Sequence, residues 1–563
     1  MKIYNWRPFL ERWSADWADS PGARGRDGAD EEILRNRWLG FGPVSEERIV
    51  ALEDRLGKRL PPTYRSFLAT TDGWRPAGTP VYLLGTAEGV HRHGGSGMRE
   101  EYESQLGENP SEEDVLLAGM WDRALQLSVE SDMIDVLLDP GDVNAEGEWA
   151  VYVYRGWSGE FPDRYESFMD VMQQLFRDFH RNIENGGAAD NETARELDAA
   201  VEEARLASLA GADVDEQLDV LTDAAAHGRG AAAELEGQVR SMLGEQRESG
   251  QEYEAPGAFG RAVTAAREQA RWGETEAAWQ TIAAAVPDWE PGGAGEIAPV
   301  RLLSDPVLGP VITPERGRFI LETPRAGHGD PERAEETAPG TAATSAQDGL
   351  DWLAGSEQYG SGYRFVCVHG VSPQELATRA GHGPLLPPCD EGQVRRIQFR
   401  GDDKQVARVG AGGGGWSFAF ETVTDRYEPG RVEGPADEAS AGTRSVVVWA
   451  ERGSASGRTA GTFHFSYARD GQRVYGFTVH GGKTEQWGPL PDSLDPGVLL
   501  PGAGVPELDV DDEFEALAAI AEEFGLSLPS FAIQHGRLHA VESREWIRPP
   551  GPGEPYATLG RNR

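Results

Sequence analysis

Residues Arg37 to Trp74, reading RWLGFGPVSEERIVALEDRLGKRLPPTYRSFLATTDGW, constrain this chain more than any other stretch, because they spell two amphipathic helices punctuated at both ends. Ser45 is placed to cap the first helix. Glu46 and Glu47 complement the dipole in its first turn, and Ile49, Leu52 and Leu56 fall on one face before Gly57 stops it. Pro61 and Pro62 open a second helix, where a missing N–H costs nothing. Tyr64, Phe67 and Leu68 form its apolar stripe until Asp72-Gly73 ends it. Two short helices of this kind must bury their stripes against another layer.

The following residues supply that layer. Val81 to Leu84, Ala124 to Ser128, Ile134 to Leu138 and Trp149 to Tyr154 are short β-branched and aromatic runs bounded by Gly, Asp and Pro, and read as strands. Asp139-Pro140-Gly141 separates the third run from the fourth. The turn Gly156-Trp157-Ser158-Gly159 precedes a helix carrying Phe168, Met172, Leu175, Phe176 and Phe179. An acidic-capped helix with L-G-x-x-L-P, then P-x-x-Y-x-x-F-L and a terminal D-G-W, resembles the SUKH superfamily (Smi/Knr-type), which includes bacterial immunity proteins and a yeast regulator of cell-wall assembly. The resemblance spans Glu32 to Phe179 and implies an antiparallel sheet with a closing helix. It also implies a role in protein binding.

At 563 residues the chain exceeds what one core supports, so several domains are expected. The fold class expected is α+β and multi-domain. Residues 1–185 form the SUKH-like domain. Residues 190–324 form an α-helical region, with Leu197, Val201, Leu206, Leu209, Leu218, Leu221, Leu235, Val239 and Leu243 as its apolar series. Within it, Ala262 to Ala285 with its Gly273 turn resembles one tetratricopeptide-type unit, although three or more units are usual in a free-standing solenoid and an irregular spacer fits equally. Residues 325–347, rich in Gly, Pro, Ala, Thr and Glu, read as a disordered linker. Residues 348–563 read as a β-rich α+β domain: strands at Tyr363 to Val368, Trp416 to Phe420, Ser445 to Trp449, Thr462 to Tyr467 and Val474 to Val479, a helix from Ser372-Pro373, a hairpin at Asp470-Gly471 and a late helix at Phe514 to Phe524. This last part resembles an uncharacterised actinobacterial domain of unknown function, which supplies a boundary and no chemistry.

Asp and Glu total 94 against 53 Lys and Arg, a net charge of −41, which disfavours a nucleic-acid or anionic-membrane surface as partner. A basic protein partner suits the charge, as does simple solubility. Only Cys367 and Cys389 are present, so no disulfide framework or four-cysteine metal site arises within the chain, and a reducing cytoplasm is the expected setting. The start is aromatic and charged, without a signal-peptide core, and no stretch of about 18 uncharged apolar residues occurs.

No catalytic constellation emerges. Gly476 to Thr484, GFTVHGGKT, ends in Gly-Lys-Thr but has five residues between Gly476 and Gly482 where a phosphate loop needs four, and no helix follows. Gly412 to Gly415 precedes its strand, unlike a dinucleotide loop. His91-Arg92-His93-Gly94-Gly95-Ser96 lacks a third metal ligand and an activated serine. Cys367 beside His369 has no orienting carboxylate, and burial suits the thiol better. The acid pairs Asp132 with Asp135 and Asp139 with Asp142 lie in turn-rich surroundings that commonly use carboxylates for local hydrogen bonds. The chain is therefore expected to be no enzyme, with no cofactor and no metal site.

Interaction residues come from the tryptophans of the N-terminal domain, Trp74, Trp121, Trp149 and Trp157, most of them core. Trp157 with neighbouring Glu160, and then Trp74, are the candidate protein-binding residues. By resemblance, the expected role is that of an immunity protein sequestering a cytoplasmic toxin such as a nuclease. Two other classes stand beside it: a multi-domain scaffold or regulatory protein, and an enzyme whose site lies unrecognised in the C-terminal domain.

Overall fold

The aromatic residues that crowd the first 180 positions find one another in three dimensions and set the architecture of the N-terminal part. The computed structural model describes residues 4–20, 29–75, 81–94, 97–107, 109–185, 191–245, 250–328, 349–359, 362–400, 405–423, 432, 436–453, 460–501, 508–547 and 551. By compactness the chain divides into two units, Met1–Ser208 with Asp213–Gly237, and Leu209–Ala212 with Gln238–Arg563. Of the expected linker, residues 329–347 lie outside the described residues.

In chain order the first unit runs α1 (Arg7–Asp19), α2 (Ala29–Asn36), α3 (Glu46–Leu56), α4 (Pro62–Leu68), β1 (Val81–Leu84), β2 (His91–Arg92), α5 (Met98–Gln105) and α6 (Glu112–Arg123). It continues with β3 (Leu125–Gln126), β4 (Ser128–Ser131), β5 (Ile134–Val143), β6 (Trp149–Arg155), β7 (Asp163–Tyr165) and α7 (Phe168–Asn185). Helices α8 (Glu192–Leu209), α9 (Val214–Ala226) and α10 (Gly230–Met242) follow. The main sheet is antiparallel with strand order β2-β3-β5-β6-β7, and β1 pairs with β4 beside it.

Each end of α3 has its cause in the sequence. Ser45 Oγ accepts from the Arg48 N–H, and Gly57 closes the helix in the left-handed conformation at φ 68°. Because that cap satisfies an otherwise unmet backbone donor, Ser45→Ala is expected to cost about 1 kcal/mol of stability. Chemical denaturation of the full chain measures it.

The expected apolar stripes are all buried: Ile49, Leu52 and Leu56 on α3, Tyr64, Phe67 and Leu68 on α4, and Phe168, Met172, Leu175, Phe176 and Phe179 on α7. They meet the inner face of the sheet through Ile134, Val136, Leu138, Val151 and Val153. Helix α1, absent from the elements expected on sequence grounds, adds Leu10, Trp13 and Trp17 at helical spacing, with its N-cap residue Trp6. Trp6 lies 5.4 Å from Phe67 and 5.7 Å from Phe168, ring centre to ring centre, and Trp13 lies 5.3 Å from Phe176. Such tilted and edge-on pairs add to the burial of large apolar area. One expected member of the helical series, Leu206, faces solvent.

After the end of α10, which crosses the boundary at Gln238, the second unit holds a helical hairpin, α11 (Gly257–Arg271) and α12 (Thr275–Ala285), turned at Gly273. Short helices α13 (Arg301–Ser304) and α14 (Pro314–Glu322) close that segment. Then come β8 (Tyr363–His369), α15 (Pro373–Ala380), β9 (Gly381–Cys389), α16 (Glu391–Arg400), β10 (Val406–Ala411), β11 (Trp416–Thr422), α17 (Ala436–Ala439), β12 (Arg444–Glu451) and β13 (Thr462–Arg469). The remainder is β14 (Gln472–His480), β15 (Lys483–Trp487), α18 (Pro496–Leu499), α19 (Val510–Phe524), α20 (Ser530–His535) and β16 (Leu538–Ser543).

These nine strands form one antiparallel sheet ordered β15-β14-β13-β12-β8-β11-β10-β16-β9. Helices cover both faces: Ala516, Leu517 and Ile520 of α19 pack on one, and Leu376, Ala377 and Ala380 of α15 on the other. The five expected strands, both helices and the Asp470-Gly471 hairpin are present. Asp470 and Gly471 both have positive φ (51° and 82°), the signature of the hairpin turn that matches strand twist. Gly481 and Gly482 do the same between β14 and β15 (φ 53° and 78°), so the Gly-Lys-Thr segment is a hairpin.

Candidate functional site

The outer face of the N-terminal sheet is where alternation along β5 and β6 brings polar and aromatic side chains together. Ile134, Val136 and Leu138 point inward, so Asp135 and Leu137 point outward, beside Ala150, Tyr152 and Tyr154 of β6. The α5–α6 hairpin covers part of this face with Met120 and Trp121. A chain of rings then leads outward: Trp121 packs edge-on to Tyr154 (5.1 Å) and against Tyr102 (5.4 Å), and Tyr102 touches Phe161 (5.5 Å).

At the outer end the apolar side chains are open to solvent. Phe161 is 64%, Met133 62% and Trp157 54% exposed. Trp157 is held out by its turn, in which the Ser158 N–H and Oγ–H both donate to the Arg155 carbonyl and the Glu160 N–H donates to Ser158 Oγ. Gly156 brings that turn against Met133, whose own φ is +56°. These three large apolar side chains are thus exposed on two adjoining turns. The exposed carboxylates of Asp132 and Glu160 adjoin Met133 and Phe161 in the chain, and exposed Glu101 precedes Tyr102.

The polar end of this face is a short network. Gln126 Nε2 donates to Asp135 Oδ1 (2.8 Å), and His93 Nδ1 lies 3.3 Å from Gln126 Oε1. Burial raises the Asp135 carboxyl above its ordinary value, with His93 opposing. A raised folded-state value contributes stability below the ordinary carboxylate range and loses it as pH rises through the raised value. At neutral pH Asp135 therefore destabilises the fold, and Asp135→Asn is expected to leave the melting temperature unchanged or raise it by a degree or two, the group being only half-buried. Differential scanning calorimetry at pH 7 is the check.

The expected site residues part company here. Trp157 and Glu160 lie at the exposed end. Trp74 does not join them: it is fully buried, 5.5 Å from Trp13 and 5.5 Å from Trp38, and its backbone bridges to Leu84. Trp74 is thus a core residue, and its placement among binding residues is corrected. Tyr102, Met133 and Phe161 carry no signal in the sequence, since their convergence depends on separate elements; Asp135, singled out there with Asp132, and His93, singled out as a possible metal ligand, are instead joined through Gln126, while Asp132 is exposed.

The remaining candidates resolve into structural roles. Asp139 accepts two bonds from Arg123 (2.7 and 2.6 Å), and Asp142 accepts two from Arg164 (2.7 and 2.9 Å) and one from the Tyr152 hydroxyl (2.7 Å). The Arg164 bonds hold Asp142 below the usual carboxylate range against the effect of burial. Cys367 is fully buried and burial pushes its thiol up, while His369 packs edge-on to Trp416. His93 and Gln126 belong to the network above. Gly95 and Ser96 lie outside the described residues. Among the described residues no group of three or more His, Cys, Asp and Glu is arranged to hold a metal ion, and no helix is long and apolar enough to cross a membrane.

The N-terminal part is thus an antiparallel sheet backed by helices, with exposed aromatic and acidic side chains at one end of its outer face. Residues 43–174 match the SMI1 / KNR4 family (SUKH-1), inside the Glu32 to Phe179 span of the resemblance and over about a quarter of the chain, so the N-terminal part carries a domain of that family. Domains of this kind are protein-interaction modules. No curated protein and no solved structure matches the chain.

Proposed function

We propose that the protein binds another protein without chemistry of its own, and that its role is immunity: sequestering a basic cytoplasmic toxin, such as a nuclease, on the outer face of its N-terminal sheet. The observation that carries this reading is the exposed trio Met133, Trp157 and Phe161, adjoined in the chain by exposed Asp132 and Glu160, on a domain of the SMI1 / KNR4 family. Exposed aromatics supply contact area at low entropic cost, and adjoining carboxylates steer a basic partner. A nuclease surface is basic because it must meet phosphates. Cytoplasmic location fits two buried cysteines that remain free thiols.

Affinity capture from the source cells with the full chain tests this, run at about 50 mM and about 500 mM salt with a Trp157→Ala variant alongside. A basic polypeptide should be recovered at low salt, reduced at high salt, and reduced at least tenfold by the variant, whose melting temperature should not change. Recovery of no polypeptide by the wild-type chain at either salt overturns the reading. A scaffold or regulatory role is the second reading, favoured by a separate unit with a nine-stranded sheet that lies outside the family match.

A further inference from the structure

The second unit holds a cleft of about 770 Å³ lined by Gln358, Asp390, Glu391, Arg395, Phe531 and His535, a volume within the range of small-molecule sites. Its carboxylates are already answered. Glu391 is buried at the start of α16, where its Oε2 accepts from Arg408 Nη2 (2.7 Å) and its Oε1 from the Thr422 hydroxyl (2.6 Å). Asp390 accepts from the Gln393 N–H (2.8 Å), capping the same helix, and lies 3.4 Å from Arg537 Nε. Neither carboxylate is left over for a bound cation.

Arg395 is in the opposite position. Its Nε–H donates to Glu391 Oε1 (3.1 Å) and its Nη2 to the Gln358 carbonyl (2.6 Å), which pins the guanidinium plane at two points along one edge. A guanidinium carries five N–H groups in a rigid fork, so the edge shared by Nη1 and Nη2 keeps two parallel N–H groups, without a partner among the described residues. The side chain lines the cleft and is 45% exposed, so these groups face solvent rather than protein. Three arginines, Arg395, Arg408 and Arg537, thus stand against the two carboxylates Asp390 and Glu391, a local excess of positive charge in a chain of net charge −41. An apolar wall completes the cleft: the Phe531 ring packs on His535 at 5.4 Å between ring centres.

We infer that this cleft binds a small organic monoanion, its carboxylate held by the Nη1–Nη2 edge of Arg395 while its aromatic or aliphatic body rests on Phe531. The fork matches a carboxylate's two oxygens, and a guanidinium already pinned by Glu391 and Gln358 loses little freedom on binding. A phosphate dianion is the poorer fit, because it would meet the same single excess positive charge with two carboxylates close by. The site belongs to the second unit and stands independently of the N-terminal sheet and its protein partner.

The test is equilibrium dialysis of the full chain against radiolabelled phenylacetate, with two unlabelled competitors: phenylacetamide, which keeps the shape and removes the charge, and inorganic phosphate. Phenylacetate should bind saturably at one site per chain, and phenylacetamide should compete at least about tenfold more weakly than unlabelled phenylacetate. Phosphate should also compete more weakly. Arg395→Gln should weaken phenylacetate binding by about tenfold or more, and Arg395→Lys, which keeps the charge without the fork, by about threefold or more. Melting temperatures show which variants are folded, and should the glutamine variant melt early, the lysine variant and the wild-type competition decide. No saturable binding by the wild-type chain, equal competition by the amide, stronger competition by phosphate, or undiminished binding by either folded variant overturns the inference.

Discussion

Glu421→Ala is expected to destabilise the C-terminal sheet by about 3–5 kcal/mol, because it strips the counter-charge from an arginine that water cannot reach. Arg364 is fully buried on β8, with its guanidinium carbon 4.8 Å from the Trp449 ring and 4.9 Å from the Trp546 ring. Its Nε and Nη2 both donate to Glu421 Oε2 (3.0 and 2.8 Å), and Trp546 Nε1 donates to Oε1 (2.8 Å). Removing the carboxylate leaves both a buried cation and an orphaned indole N–H. Urea denaturation of the full chain, read by a probe in the second unit, measures the loss. Replacing both partners by methionine should cost clearly less than the single change, since no charge is then left alone. A loss below about 1 kcal/mol for Glu421→Ala would mean that the guanidinium is hydrated and the pairing described is wrong.

The second large effect separates two tryptophans of one domain. Trp74→Ala is expected to cost about 3–5 kcal/mol, through the cavity it opens among aromatic residues, and to lower the melting temperature by several degrees. Trp13 and Trp38 flank that ring, so both would lose contacts. Trp157→Ala should stay within about 0.5 kcal/mol of wild type, as surface changes do, and should lose the partner instead. Calorimetry paired with the capture assay gives each variant two readouts. Were Trp157→Ala to unfold the domain, or Trp74→Ala to leave it stable, the division between core and contact residues would fail.

What the amino-acid sequence discloses of this fold depends on how local each signal is. Helix α3 carries its own cap, stop and stripe, and α4 opens at Pro62 with its stripe as expected, but α4 has no side-chain cap and ends at Leu68, before the expected Asp72-Gly73 stop. Type I′ turns at Asp470-Gly471 declare themselves equally well. Strand β9 does not, because GHGPLLPPC reads as a loop; prolines are tolerated there since it is an edge strand. Asp139-Pro140-Gly141, expected to end a strand, lies within β5, where the register against β6 shifts between Leu138 and Val143 and absorbs the irregularity. Of the candidate site, Trp157 and Glu160 are readable from a turn. The burial of Trp74 is not, because α1 and Trp38 supply its neighbours. Nor is the meeting of Asp135 with Gln126 and His93, which depends on how β2, β3 and β5 pair.

Strand β16, Leu538–Ser543, is not at the rim of its sheet but is laid between β10 and β9. During synthesis, then, β9 waits some 150 residues for the neighbour that will hold it, and β10 shows a bare flank for almost as long. Until the ribosome releases that late segment, the half-built sheet offers a sticky margin to any passing strand. A nonsense codon just ahead of residue 538 would leave a gap inside the sheet rather than a trimmed border, because β9 and β10 would both lose the strand between them.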